Sequence, residues 1–167
     1  MIYVDMDRVL VDFDVGASKF LGKDTRKHKD LNLPTAITGD DWIKIATYRD
    51  FWADLPFMPD GQELWDYIKS DSPTVLSAYP SRYESDVVQA ITGKLDWIDR
   101  NLSPRPNAHV VHKSEKREYA RDHSGKPNIL IDDDEENIRQ WEEMGGFGIL
   151  HTDTKSSIEK LKHINKP

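Results

Sequence analysis

A chain of 167 residues is long enough for one compact domain with a small insertion, and two full domains would strain it. Thirty acids against 23 Lys and Arg give a net charge of −7, which weighs against a protein that coats nucleic acid, because such binding is driven by cations that neutralise phosphates. The sequence has no cysteine, which excludes disulfides, thiolate metal sites and a cysteine nucleophile.

The first predicted element is an apolar strand, Ile2–Val4. Its surroundings, MIYVDMDRVLVDFD, carry acids where a signal peptide needs a basic start and an unbroken apolar stretch. No apolar run approaches membrane-spanning length, so the expectation is a cytoplasmic protein. Residues 16–59 then break the pattern, being polar first and aromatic later, with a helical piece over residues 41–48. This stretch reads as an insertion that rises from the carboxyl edge of a sheet and caps a site there.

Beyond it, Leu64, Trp65 and Ile68 mark a helix and residues 74–76 a strand. Val87, Val88, Ile91, Leu95 and Ile98 mark another helix, and residues 109–111 another strand. A strand over 128–131 leads into the acidic run DDDEE at 132–136, and Ile138 and Trp141 mark the helix after it. Strand Phe147–Leu150 and a helix bearing Ile158, Leu161 and Ile164 complete the chain. Five strands alternating with helices predict a single α/β domain over 1–167: a Rossmann-like, three-layer α/β/α parallel sheet with a small helical cap insertion.

Two acidic groups carry the chemistry. Asp5 and Asp7 stand at alternate positions just past the first strand, so both project to one side. Asp5 is placed to attack phosphorus as a carboxylate, and Asp7 to protonate the leaving oxygen and later take a proton from water. A plain Asp-rich turn is the alternative. Asp132, Asp133 and Asp134 follow the fourth strand and open a helix, where acids also serve as caps. If the two strand ends lie side by side, Asp5 and Asp133 form an all-oxygen site suited to Mg²⁺. The histidines at 109, 112, 123 and 151 lack ligand spacing and read as ordinary.

With these residues in place the chain resembles the haloacid dehalogenase superfamily of phosphatases. Four motifs occur in order: DMDRV with Asp5 and Asp7, TVLSAYP with Ser77, HKSEKREYA with a lysine, and ILIDDDEEN with Asp132 and Asp133. The stretches DMDRVLVDFD, FWADLPFMPDG and LIDDDEEN are similar to the 5′(3′)-deoxyribonucleotidase branch. The resemblance implies that Asp5 is the nucleophile and that Asp7 is the acid/base and gives a backbone carbonyl to Mg²⁺. It further implies that Ser77 donates to a phosphoryl oxygen and that Asp133 is a metal ligand supported by Asp132. Lys116 fits the third motif better than Lys113. Arg8 stands where the family usually has glycine, which puts the shape of that loop in question and leaves open an active-site role for the guanidinium.

Substrate contacts are expected from Phe13, Trp42, Phe51 and Trp52, whose rings suit base stacking and equally suit the cap's own core. Ala78, Tyr79 and Arg82 follow Ser77, and Arg82 could grip a phosphate in two-pronged fashion. The expected activity is Mg²⁺-dependent hydrolysis of a small phosphomonoester, with a nucleoside monophosphate as substrate. Action on polynucleotide 3′ ends or on a small sugar phosphate is the alternative within the same chemistry. A non-catalytic binding module is the alternative of another class, and the intact set of Asp5, Asp7, Ser77 and Asp133 argues against it.

Overall fold

The computed structural model of the chain describes residues 1–25, 37–80 and 87–164. Five parallel strands form one sheet: β1 (Ile2–Val4), β2 (Thr74–Ala78), β3 (Asn107–Val111), β4 (Ile129–Asp132) and β5 (Phe147–Leu150), in the order β3-β2-β1-β4-β5. All five expected strands are present, each within two residues of its expected limits. The helices are α1 (Phe13–Leu21), α2 (Gly39–Thr47), α3 (Arg49–Ala53), α4 (Gly61–Ile68), α5 (Val87–Asn101), α6 (Glu135–Glu143) and α7 (Thr154–Ile164).

Successive strand residues point to opposite faces, so the sheet builds two cores. Ile2, Val4, Val75, Ile129, Ile131 and Ile149 pack with Leu64, Trp65 and Ile68 of α4, Trp97 and Ile98 of α5 and Leu161 of α7. Tyr3, Leu76 and Leu130 face the other way, against Ile138 and Trp141 of α6. Helices therefore cover both faces of the expected α/β Rossmann-like sheet. Four tryptophans, at 52, 65, 97 and 141, are fully buried. Each indole N–H donates to a backbone carbonyl, at Ile45, Ser103, Leu55 and Asn128 respectively, so none of these four donors is stranded.

Between β1 and β2 lie α1 to α4. Helix α1 falls where the sequence pattern gave no helix: Asp12 caps it by accepting from the Val15 amide at 2.9 Å, and Gly22 at φ 66° ends it in the left-handed conformation. Helix α2 matches the expected helical piece and is held by a capping box between Thr38 and Asp41.

Helix α5 is the helix marked by Val87, Val88, Ile91, Leu95 and Ile98, but its buried face is Ala90, Gly93, Lys94, Trp97 and Ile98, with Val87, Ile91 and Leu95 half-buried and Val88 exposed. Gly93 sets this rotation. A Cβ there would lie 2.7 Å from Trp52 Cβ, and closer still to the Arg49 carbonyl, so α5 seats against α3 only through glycine. No helix among the described residues is long and apolar enough to cross a membrane.

Candidate active site

The strand order changes direction around β1: the chain runs outward through β2 and β3, then crosses back to β4 and β5. In open parallel sheets such a switch point leaves a crevice at the carboxyl ends of the strands. Val4 pairs with Ile131, and the Asp5 amide donates to the Ile131 carbonyl at 2.9 Å, which brings Asp5 beside the end of β4. Ligand oxygens of Asp5, Asp132 and Asp133 consequently lie within 4.8 Å of one another.

The three acids after β4 divide their work. Asp134 takes the capping role, accepting from the Glu136 and Asn137 amides of α6. Asp132 is fully buried and well supplied with donors: Lys116 at 2.7 Å, Asn137 Nδ2 at 3.0 and 3.1 Å, and the Asp134 amide at 2.9 Å. Asp133, half-buried, points its charge at its neighbours. Its pKa rises to about 7, from burial first and then from Asp5 and Asp132. Burial and Asp5 also raise Asp132.

Lys116 is the cation of this cluster. A 3-10 helix, Lys113–Tyr119, begins with a capping box between His112 and Glu115. Its Lys116 is 2% exposed and reaches Asp132 at 2.7 Å and Asp5 Oδ1 at 3.0 Å. The contact to Asp5 is an ion pair, so the two carboxylates share one buried ammonium. Burial alone would lower the Lys116 pKa, but Asp5 and Asp132 hold it above the ordinary lysine value. Lys113 does not join the cluster; it pairs with Asp134 at 2.8 Å on the surface.

Asp7 and Ser77 are held by a residue that the strand-end motifs did not reveal. Lys94 on α5 is fully buried and donates to Asp7 Oδ2 at 2.5 Å, Ser77 Oγ at 2.9 Å and the Ala78 carbonyl at 2.8 Å. A signal was present in the sequence: Ala90, Gly93, Lys94, Trp97 and Ile98 follow a helical spacing that puts a lysine on an apolar face. Asn137, on the buried face of α6 with Ile138 and Trp141, was missed in the same way.

Beside these groups lies a cavity of about 170 Å³ lined by Asp7, Arg8, Phe13, Trp42, Trp52, Ala78, Tyr79 and Pro80. Phe13 and Trp42 stack at 5.7 Å with 19° between planes. Arg8 has φ 58°, the left-handed conformation that glycine adopts most easily. Its guanidinium grips Asp14 with two hydrogen bonds of 2.9 Å and lies 5.3 Å over the Phe13 ring, on the cavity wall. Phe51 packs edge-on against Phe13 and tilted against Phe20, buried in the core, which is the second of the two roles expected for it, and it does not line this cavity. Arg82, and residues 26–36 of the insertion, lie outside the described residues. His151 is buried with Nδ1 2.9 Å from Ser157 Oγ. Among the described residues the metal-capable cluster contains no histidine.

No protein-family model matches the chain, and no curated protein matches its sequence. Among solved structures, a hydrolase from Streptococcus pneumoniae TIGR4 aligns at 12% identity and a TM-score of 0.46, over 98% of this chain and 96% of that one. A dehalogenase aligns at 12% identity and a TM-score of 0.50, over 88% of this chain and 82% of that one. At that identity the second likeness speaks for the fold alone: the chain is similar to the dehalogenase in its α/β architecture.

Proposed function

We propose that this chain is a Mg²⁺-dependent phosphomonoester hydrolase that works through a phosphorylated Asp5, with nucleoside monophosphates as its substrates and the insertion that carries α2 and α3 as a cap. The observation that carries the reading is the convergence of Asp5, Asp132 and Asp133 within 4.8 Å around the buried Lys116. Phosphoryl transfer needs positioning and positive charge around equatorial oxygens more than it needs unusual side chains. This cluster offers a nucleophile, a fixed ammonium and an all-oxygen donor set.

The donor set fits a hard divalent cation. It consists of carboxylates, and it crowds like charges together with a single buried ammonium between two of them. Asp5 and Asp133 side chains and the Asp7 carbonyl would hold Mg²⁺, whose charge would offset that of the phosphoryl oxygens, while Asp132 stays with Lys116 and Asn137. Asp5 attacks phosphorus in line with the ester oxygen, the P–O bond breaks, and Asp7 gives the departing oxygen its proton. Asp7, now a base, takes a proton from the water that cleaves the aspartyl phosphate. Lys116 and Ser77 stabilise the transferring group.

The nucleotide part of the reading rests on the cavity wall. Phe13, Trp42 and Trp52 with Tyr79 offer aromatic faces next to Asp7, and base stacking on such rings is worth about 1–3 kcal/mol. Phosphate release should be assayed from nucleoside monophosphates, sugar phosphates and p-nitrophenyl phosphate, with Mg²⁺ and with chelator. Metal-dependent release that favours nucleotides supports the whole reading. Release favouring sugar phosphates removes the nucleotide part, and activity unaffected by chelator removes the metal.

A further inference from the structure

We propose that Lys94 is a positioning residue that sets the working geometry of Asp7 and Ser77; this rests on the phosphohydrolase reading above. Lys94 is fully buried, as Lys116 is, but it touches a different set of groups. Its ammonium has three N–H donors and three protein acceptors: Asp7 Oδ2, Ser77 Oγ and the Ala78 carbonyl. Its Nζ also lies 4.8 Å from the centre of the Trp52 ring.

The direction of these bonds has consequences. An ammonium can only donate, so Ser77 Oγ must accept from it, and the single Ser77 O–H points elsewhere to donate. A phosphoryl oxygen requires a donor of that kind. Lys94 likewise occupies Asp7 Oδ2, while Asp7 Oδ1 is buried and receives no hydrogen bond from any described residue. The oxygen left over is the one that can carry the proton to the leaving group. The Ala78 carbonyl ties the end of β2, and thereby the loop that lines the cavity, to the same point.

Lys94 also joins this arrangement to the insertion. It follows Gly93, which lets α5 approach α3, and Trp52 of α3 lies over the ammonium. Two buried lysines thus divide the site: Lys116 serves the nucleophile and Asp132, and Lys94 serves the acid/base and the hydroxyl donor.

Lys94→Met removes the ammonium at nearly constant length. A nucleoside monophosphate expels a poor alkoxide leaving group that needs Asp7's proton, whereas p-nitrophenyl phosphate expels a stable phenolate that does not. The expected result is a fall in kcat on both substrates, because Ser77 and the hydrolysis of the aspartyl phosphate serve both, with a kcat/KM loss at least about tenfold larger on the nucleotide than on p-nitrophenyl phosphate, because kcat/KM reports the step in which the leaving group departs. An equal kcat/KM loss on both substrates, or an unchanged kcat on both, overturns the positioning role. Wild-type turnover in the same assay judges the phosphohydrolase reading separately.

A second measurement needs neither turnover nor a Lys94 variant. The Lys94 ammonium nitrogen of the wild-type protein should give a slowly exchanging NMR signal that shifts in both Asp7→Asn and Ser77→Ala. A signal that exchanges like that of a surface lysine, or that ignores both substitutions, overturns the proposal.

Discussion

The carboxylate cluster and the aromatic wall of the cavity lie side by side but are built by different means. At the ends of β1 and β4, charged groups are fixed by strand register: pairing Val4 with Ile131 leaves Asp5 nowhere to be except beside Asp132 and Asp133. In α1 to α3, rings are fixed by packing against one another, as Phe13 does with Trp42, Phe51 and Trp52. Register is all or none, because a slip of one residue reverses every side chain. Ring packing is graded. The first region is therefore suited to chemistry, which tolerates little displacement, and the second to selecting among related substrates.

The sharpest break of this contrast is Asp5→Asn, which keeps shape and removes the nucleophile. Turnover should fall below detection while the melting temperature holds, and trapping wild-type protein with beryllium fluoride should place the mimic on Asp5. Near-normal turnover in the variant would mean that water attacks directly.

Next in size is the comparison of the two lysines in the third motif. Lys116→Ala strands two buried carboxylates and should cost about 3–5 kcal/mol of stability along with activity. Lys113→Ala breaks an exposed pair and should cost about 1 kcal/mol or less. Denaturant titration of both variants checks the ranking, and the reverse order would reassign the lysine.

The aromatic wall should divide in two. Trp52 is buried with its N–H on the Ile45 carbonyl, so Trp52→Ala should destabilise by about 3–5 kcal/mol whatever the substrate. Trp42 is half-buried on the cavity, so Trp42→Ala should lower kcat/KM for a nucleotide about 10- to 100-fold and leave p-nitrophenyl phosphate nearly unchanged. Equal loss on both substrates would make Trp42 packing alone.

The smallest expected effect concerns Asp133 without metal. Its pKa is raised to about 7 by burial and by Asp5 and Asp132, so its contribution to stability is present below its unfolded value near 4 and is lost as pH climbs through about 7. Metal-free Asp133→Asn should melt a few degrees above wild type at pH 8, with the difference vanishing near pH 4, and Mg²⁺ should raise the melting temperature of wild type but not of the variant. A variant that still responds fully to Mg²⁺ would remove Asp133 from the ligand set.

How far the sequence could be read follows from the same contrast. Asp5, Asp7, Asp132 and Asp133 were legible because each sits at the end of a short apolar strand or up to three residues past it, and strand ends in a parallel sheet share one edge. Ser77 followed the same rule. Lys94 was not found, because its importance depends on the rotation of α5, which Gly93 determines through contacts with Arg49 and Trp52 that are distant in sequence. The two roles open to Phe51 and Trp52 could not be divided for a related reason: adjacent helical residues point about 100° apart, and only the packing decides that Trp52 reaches the cavity while Phe51 turns to Phe20.

The place of β1 in the sheet also bears on how the protein acquires its fold. Residues 2–4 form the central strand, yet one neighbour comes from residues 74–78 and the other from residues 129–132. During synthesis from the amino end, one hydrogen-bonding edge of this apolar strand stays open until β2 has emerged and the other until β4 has emerged. Parallel pairings across such separations are slow to form. The nascent chain therefore exposes its most aggregation-prone edge for longest, and a chaperone that shields the first few residues should raise the yield of this protein more than one acting on its finished surface.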